Sequence, residues 1–165
     1  MATGKRKSSG FSLVELVIVV VIIGVIAAIA VPRISRGAKG AGDSALRASL
    51  AGLRNAIDMF AAEHSGVFPA GADQAALEAK LINKTNASGA IDADPSKNVF
   101  GPYLRSGFPP LPVCANKGKT TVKLVTGDPA YQATGEGWVY STDTGKLMAN
   151  CDTETDESGV AYDLY

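Results

Sequence analysis

A single carboxylate stands in a long apolar run near the start of the chain. Glu15 lies in the segment 11–31, and no polar side chain follows it from Leu16 to Val31. An isolated carboxylate in an apolar helix costs about 3 kcal/mol on membrane-insertion scales. A charge that costly needs a partner, so Glu15 is the first candidate for a functional residue.

The segment 11–31 has the length of a membrane span. As a helix it rises about 31 Å at 1.5 Å per residue, and the hydrocarbon core of a bilayer is about 30 Å thick. Lys5, Arg6 and Lys7 precede it without any acidic residue among them. The positive-inside rule then places the N-terminus in the cytoplasm and exports the rest of the chain.

A cleaved secretory signal peptide is an alternative interpretation of the same segment. Ala28-Ile29-Ala30 fits the small-residue cleavage pattern that follows an apolar stretch with a basic flank. Such a peptide would release a soluble exported domain after Ala30. Neither an export signal nor a plain anchor has a use for Glu15, which disfavours both.

The N-terminal residues resemble a known signal. A short basic leader ends in Gly10, and Phe11-Ser12-Leu13-Val14-Glu15-Leu16 then opens an unbroken apolar helix. This pattern is similar to the class III signal of type IV pilins and type II secretion pseudopilins. The resemblance implies that a membrane aspartic peptidase cuts after Gly10, methylates the new amine of Phe11 and leaves the anchor in place.

The resemblance also gives Glu15 a partner. After cleavage, Phe11 carries a cationic amine one helical turn from the Glu15 carboxylate, and the pair can be satisfied within one chain or between chains. The family implies the second arrangement, in which Glu15 of an incoming subunit neutralises Phe11 of its neighbour. The implied partners are copies of the chain, the prepilin peptidase, the inner-membrane assembly platform with its ATPase, minor pilins or pseudopilins, and membrane lipid.

The chain after the apolar run predicts a longer helix and an exported domain. Pro32 should kink or interrupt the helix, and Gly37, Gly40 and Gly42 weaken it. From Asp43, a candidate N-cap, an apolar seam follows at helical spacing, and Gly66 ends it. The seam consists of Leu46, Leu50, Leu53, Ile57 and Phe60.

Four regions and an α+β fold follow from these patterns. We expect a removed leader (1–10), a filament-core helix (11–31), an amphipathic helix (32–66) and a globular head (67–165). Strand patterns lie at 119–125, 137–141, 146–149 and 160–165, with a short helix at 73–82. They predict three or four antiparallel strands packed on the helix seam, the pilin-like layout.

Two further groups of residues suggest a cross-link and a metal site. Cys114 and Cys151 favour a disulfide in an exported domain, although two unpaired thiols remain an alternative. Four acids without a nearby base follow Cys151, and major pseudopilins hold calcium in such a loop, which makes calcium a possible ligand. A solvated acidic loop is the alternative. These acids are Asp152, Glu154, Asp156 and Glu157.

The composition excludes several other functions. Without the basic leader, 13 basic and 16 acidic residues remain, a net charge of −3 that gives no basic field for nucleic acid. His64 is the only histidine, so no catalytic triad or zinc cluster can be built, and no cofactor is required. We expect a structural subunit rather than an enzyme.

The filament class contains two machines. The segment Leu53 to Pro69 resembles the helix end of major type II secretion pseudopilins, which favours a pseudopilus that drives protein export. The cysteine pair is more typical of a type IV pilin of a surface pilus, used in adhesion, motility or DNA uptake. In either machine the resemblance implies a single-pass precursor in the bacterial inner membrane, and then a periplasmic or cell-surface filament.

Overall fold

The computed structural model describes residues 10–165. These residues form two compact units, an N-terminal one that ends at Ala38 and a C-terminal one from Lys39 to Tyr165. The elements in chain order are helix α1 (Leu13–Glu63), helix α2 (Gln74–Ile82), and strands β1 (Val122–Val125), β2 (Trp138–Ser141) and β3 (Leu147–Ala149). Short 3-10 turns lie at Pro95–Lys97 and Tyr162–Leu164.

In the N-terminal unit the structure describes residues 10–12 and the first part of α1. Its large apolar side chains, from Phe11 to Ile34, are all exposed. By length and composition α1 can cross a membrane, and none of its apolar window is buried within the chain. Pro32 lies inside α1, so it does not end the helix, and the kink at this residue stays a prediction.

The C-terminal unit is built on the later part of α1. The predicted seam is confirmed, because each of its five residues is at most 3% exposed. The seam forms one apolar core with the sheet residues Trp138, Tyr140 and Leu147. After Glu63 the chain turns through Gly66, which has a φ of 83° and donates to the Ala61 carbonyl at 2.7 Å. Gly66 therefore terminates α1 as its position predicts.

The sheet has three strands in the order β1-β2-β3, and its directions differ in part from the prediction. Strands β2 and β3 pair antiparallel, whereas β1 and β2 pair parallel. The four-residue turn 142–145, which contains Gly145 with a φ of 70°, reverses the chain between β2 and β3. The much longer connection 126–137 lets the chain return to the same end of the sheet before β2 begins. The prediction of a wholly antiparallel sheet is wrong at β1.

The predicted fourth strand at 160–165 is a different structure. Thr155 and Ala161 form one isolated antiparallel bridge, and Tyr162–Leu164 is a 3-10 turn. Only Tyr162 of this segment is buried in the core, whereas Asp163 and Leu164 face outward. Alternation over so few residues does not distinguish a strand from a docked irregular segment.

A disulfide joins Cys114 to Cys151, as the sequence predicts. The two residues are 37 positions apart, with Cα atoms separated by 5.8 Å. In the chain-entropy model a closed loop of this length stabilises the folded state by roughly 4 kcal/mol. The bond connects the loop before β1 to the end of β3. It also fixes the start of residues 151–165, called the C-terminal segment below.

Buried polar side chains tie the long loops to this core. The Tyr140 hydroxyl donates to the Pro69 carbonyl at 2.9 Å, and the Trp138 indole N–H donates to the Pro109 carbonyl at 2.9 Å. His64 is buried after the end of α1, with Nδ1 2.7 Å from the Phe60 carbonyl oxygen. Its Nε2 lies 3.0 Å from the Thr85 hydroxyl, so His64 holds the loop after α2 as well as the helix end.

Candidate processing and assembly site

The Gly10-Phe11 bond lies outside the helix and is open to a peptidase. Neither residue has helical backbone, and α1 begins only at Leu13. A Cβ atom placed on Gly10 would meet nothing within 4 Å, and Phe11 is 87% exposed. A peptidase needs its substrate extended in a cleft, and Gly10 adds no side chain there. The basic residues Lys5, Arg6 and Lys7 lie outside the described residues.

The Glu15 carboxylate caps the start of α1. Its Oε2 accepts the backbone N–H of Ser12 at 2.8 Å, while the Ser12 carbonyl accepts the N–H of Leu16 at 3.2 Å. Ser12 is therefore the N-cap, and Glu15 is the N3 residue that reaches back to it, as in a capping box. The spacing Ser-x-x-Glu was present in the sequence, but its capping use was not recognised there.

The position of Glu15 at the helix start determines which partners its carboxylate can bind. The carboxylate sits at the positive end of the helix dipole, where a negative charge is favoured. Oε2 is engaged by Ser12, whereas Oε1 makes no hydrogen bond within residues 10–165. An amine created at Phe11 would arise next to this helix start. Pairing within one chain and pairing between chains both remain compatible with this arrangement.

The predicted calcium residues lie in the C-terminal segment, but their carboxylates do not share a common set of contacts. The exposed Asp152 has no hydrogen bond among the described residues. Glu154 Oε1 accepts the Ala115 N–H at 2.9 Å, and its buried Oε2 has no donor in the described chain. Asp156 is buried and hydrogen-bonded, while the Glu157 carboxylate lies beside Gly40 of α1.

These four carboxylates do not fit a calcium site as they are arranged. Calcium takes six to eight oxygen ligands that converge on one point. Within residues 10–165, no three of the four carboxylates bring oxygens within 4.8 Å of one another, and the grouping that includes Glu154 adds only the two disulfide sulfurs. The calcium hypothesis stays a prediction without support from this geometry.

A carboxylate of α1 holds the C-terminal segment from the other side. Asp43 is 4% exposed, and its oxygens accept the Tyr162 hydroxyl at 2.6 Å and the Glu157 N–H at 3.1 Å. Asp43 lies inside α1, so its interpretation as an N-cap is wrong. An acid within a helix looks like a cap in the sequence when glycines precede it, as they do here at 40 and 42.

Asp156 is the charged centre of the C-terminal segment. The Tyr165 hydroxyl, the N–H groups of Val160 and Ser158, and the Arg47 guanidinium together hold the pKa of Asp156 below its ordinary value of 3.8. The folded protein therefore favours the ionised form. The resulting stabilisation is present above the ordinary pKa and is lost as the pH falls through the lowered one.

We expect the protein to lose stability in acid through Asp156. Between pH 7 and pH 3 the melting temperature of the wild type should fall more than that of Asp156→Asn, whose amide does not titrate. Asp152→Asn, at an exposed neighbouring position, should follow the wild type. Thermal unfolding of the full chain in detergent measures this. Equal acid sensitivity of wild type and Asp156→Asn would contradict the prediction.

Comparison with known proteins identifies the N-terminal pattern. Residues 5–31 match the family model described as the prokaryotic N-terminal methylation motif, the prepilin-type signal. No curated protein and no solved structure matches the chain significantly. The motif is one of structural filament subunits and not of enzymes, and it implies cleavage by the prepilin peptidase and assembly with other pilins. With α1 and the small sheet, it indicates a type IV pilin-like protein, and the long apolar helix fits a membrane anchor.

Proposed function

We propose that this protein is a structural subunit of a type IV pilus-like filament, most closely a type II secretion pseudopilin that polymerises from the inner membrane to drive protein export. The observation that carries the proposal is the first part of α1. Its apolar side chains are exposed around the whole helix, and the Glu15 carboxylate caps its start. Such a helix needs lipid or other apolar helices around it.

The apolar surface supports both a membrane-bound and an assembled state. Residues such as Val17, Ile22 and Ile29 are 50–58% exposed within the chain. Burial of apolar area is worth about 25 cal/mol per Å², so leaving this helix in water would be strongly unfavourable. Lipid covers the helix before assembly, and helices of other subunits cover it in a filament. Release of a soluble domain by signal peptidase would discard this surface.

Glu15 supports a defined register between subunits. A carboxylate in an apolar bundle is tolerated when a cation and hydrogen-bond donors satisfy it. Ser12 supplies one donor within the chain, and the Phe11 amine of a neighbour would supply the cation. A subunit docked out of register would leave both charges unpaired in a low-dielectric core, at a cost of several kcal/mol. The attraction between Glu15 and the neighbouring Phe11 amine favours the correct register, and the cost of unpaired charges disfavours the others.

The helix end supports the secretion assignment. Residues Leu53 to Pro69 carry the pattern that resembles major pseudopilins. Several of these residues stabilise the helix end or the core. Phe60 is buried in the core, and Gly66 ends α1. Phe68 packs against the core and reaches Gly145 of the β2–β3 turn, where a Cβ atom would clash with the Phe68 ring.

A surface pilin is the second candidate, and the disulfide favours it. The bond between Cys114 and Cys151 bounds the C-terminal segment, as a disulfide does in many type IV pilins. The lack of fit to calcium points the same way. Both candidates share the filament-forming helix.

The mature N-terminus tests the proposed processing. Mass spectrometry of the protein from membranes should show a chain that begins at Phe11 and carries one methyl group on its amine. Gly10→Val should block this processing, because a branched side chain enters the peptidase cleft, while Gly4→Val tests for a general effect of leader changes. A mature chain that begins at Val31 would overturn the filament proposal.

Variants of Glu15 separate its charge from its capping hydrogen bond. Glu15→Gln keeps an acceptor for the Ser12 N–H but has no charge, and Glu15→Ala loses both. Both variants should insert and be cleaved, and both should fail to enter filaments, as measured by shearing and sedimentation. Glu63→Gln, at the other end of α1, is the matched control and should assemble. Normal filament yield from Glu15→Gln would show that the charge has no assembly function.

A gene deletion distinguishes a secretion pseudopilus from a surface pilus. Deletion of the gene from its native cells should abolish the release of exported proteins into the medium, while surface fibres remain in electron micrographs. Expression of the wild-type chain should restore release, and the Glu15→Gln variant should not. Loss of surface fibres with normal protein release would reject the secretion assignment in favour of the surface pilus.

A further inference from the structure

We propose that the Arg47 guanidinium is the built-in cation of the acidic C-terminal segment, and that the segment docks on α1 without calcium. The acids of this segment suggested a divalent cation in the sequence. In the structure a positive charge is already present at Asp156, and it comes from α1. The proposal concerns folding of the subunit, so its test is independent of whether filaments form.

The four acceptor sites of the Asp156 carboxylate are filled. One oxygen accepts the N–H groups of Ser158 at 2.8 Å and Val160 at 2.9 Å. The other accepts the Arg47 guanidinium at 2.8 Å and the Tyr165 hydroxyl. A carboxylate has about four lone-pair sites, so all of them are used. The side chain is only 2% exposed, which leaves no open face for a metal ion.

Arg47 is held on two sides of the same cluster. Its guanidinium donates to the Tyr165 hydroxyl at 2.6 Å as well as to Asp156. The guanidinium carbon Cζ lies 4.8 Å from the centre of the Tyr165 ring. A planar guanidinium suits simultaneous hydrogen bonding and stacking, which a hydrated metal ion cannot reproduce. These contacts raise the pKa of Arg47, so the cation is permanent at any physiological pH.

Other residues of α1 also hold the C-terminal segment. Asp43 accepts donors from Glu157 and Tyr162, and the Arg54 guanidinium donates to the carbonyl oxygens of Leu147 and Tyr165. The helix therefore offers an acceptor where the segment offers donors, and donors where the segment offers acceptors. Complementary groups of this kind position the segment without an added ion.

A calcium titration of the wild-type chain tests the proposal directly. The full-length protein in detergent is melted in excess chelator and in about 10 mM calcium, ten times the dissociation constant of about 10⁻³ M of the weakest extracellular calcium sites. A site of that affinity would raise the melting temperature by about 3 °C or more. We expect a change below about 1 °C. A calcium-dependent rise of about 3 °C would overturn the proposal.

Three variants test the charge of Arg47. Arg47→Gln should lower the melting temperature by about 3 °C or more and increase hydrogen exchange in residues 156–165. Arg47→Lys keeps the positive charge and should recover part of that loss, because a lysine ammonium can still approach Asp156. Arg105→Gln, at an exposed arginine, is the matched control and should behave as wild type. Equal melting of Arg47→Gln and wild type, or no recovery with lysine, would overturn the function of the charge.

Discussion

The structure depends on one physical constraint, the uncovered apolar surface at the start of α1. Lipid or other copies of the helix must cover residues 11–34, because the chain itself buries none of the helix's most apolar stretch. The C-terminal unit consequently has to be stable with its own core. That core draws on the seam of α1 and the sheet, and the disulfide adds to its stability.

The two parts of α1 differ in how their apolar residues are distributed. Between Leu13 and Ile34 apolar side chains surround the helix, as expected for a helix that is buried on all sides when it functions. Between Leu46 and Phe60 the buried apolar side chains occupy one face, and Arg47, Arg54 and Asp58 lie outside it. The first pattern permits many neighbours around the helix, whereas the second permits only one fixed partner, the core of the same chain.

The sequence predicted those features that follow from local chemistry. Helical spacing identified the seam from Leu46 to Phe60, Gly66 marked the end of α1, and two cysteines in an exported domain indicated the disulfide. The parallel pairing of β1 with β2 was missed because strand direction depends on the path of a twelve-residue connection, which has no local signature. The 3-10 turn at Tyr162–Leu164 was missed because its contacts are with distant residues such as Asp43.

The acids of this protein show why charge clusters are hard to interpret from sequence. One oxygen of Glu15 accepts the backbone N–H of Ser12, three positions away, a contact that spacing alone can reveal. Asp43 and Asp156 are satisfied across sequence separations of more than 100 residues, by Tyr162 and Arg47. A run of acids without a local base resembles a metal site only while the distant base is unknown. What an acidic segment binds is therefore decided by the element on which it docks, here the part of α1 that carries Asp43, Arg47 and Arg54.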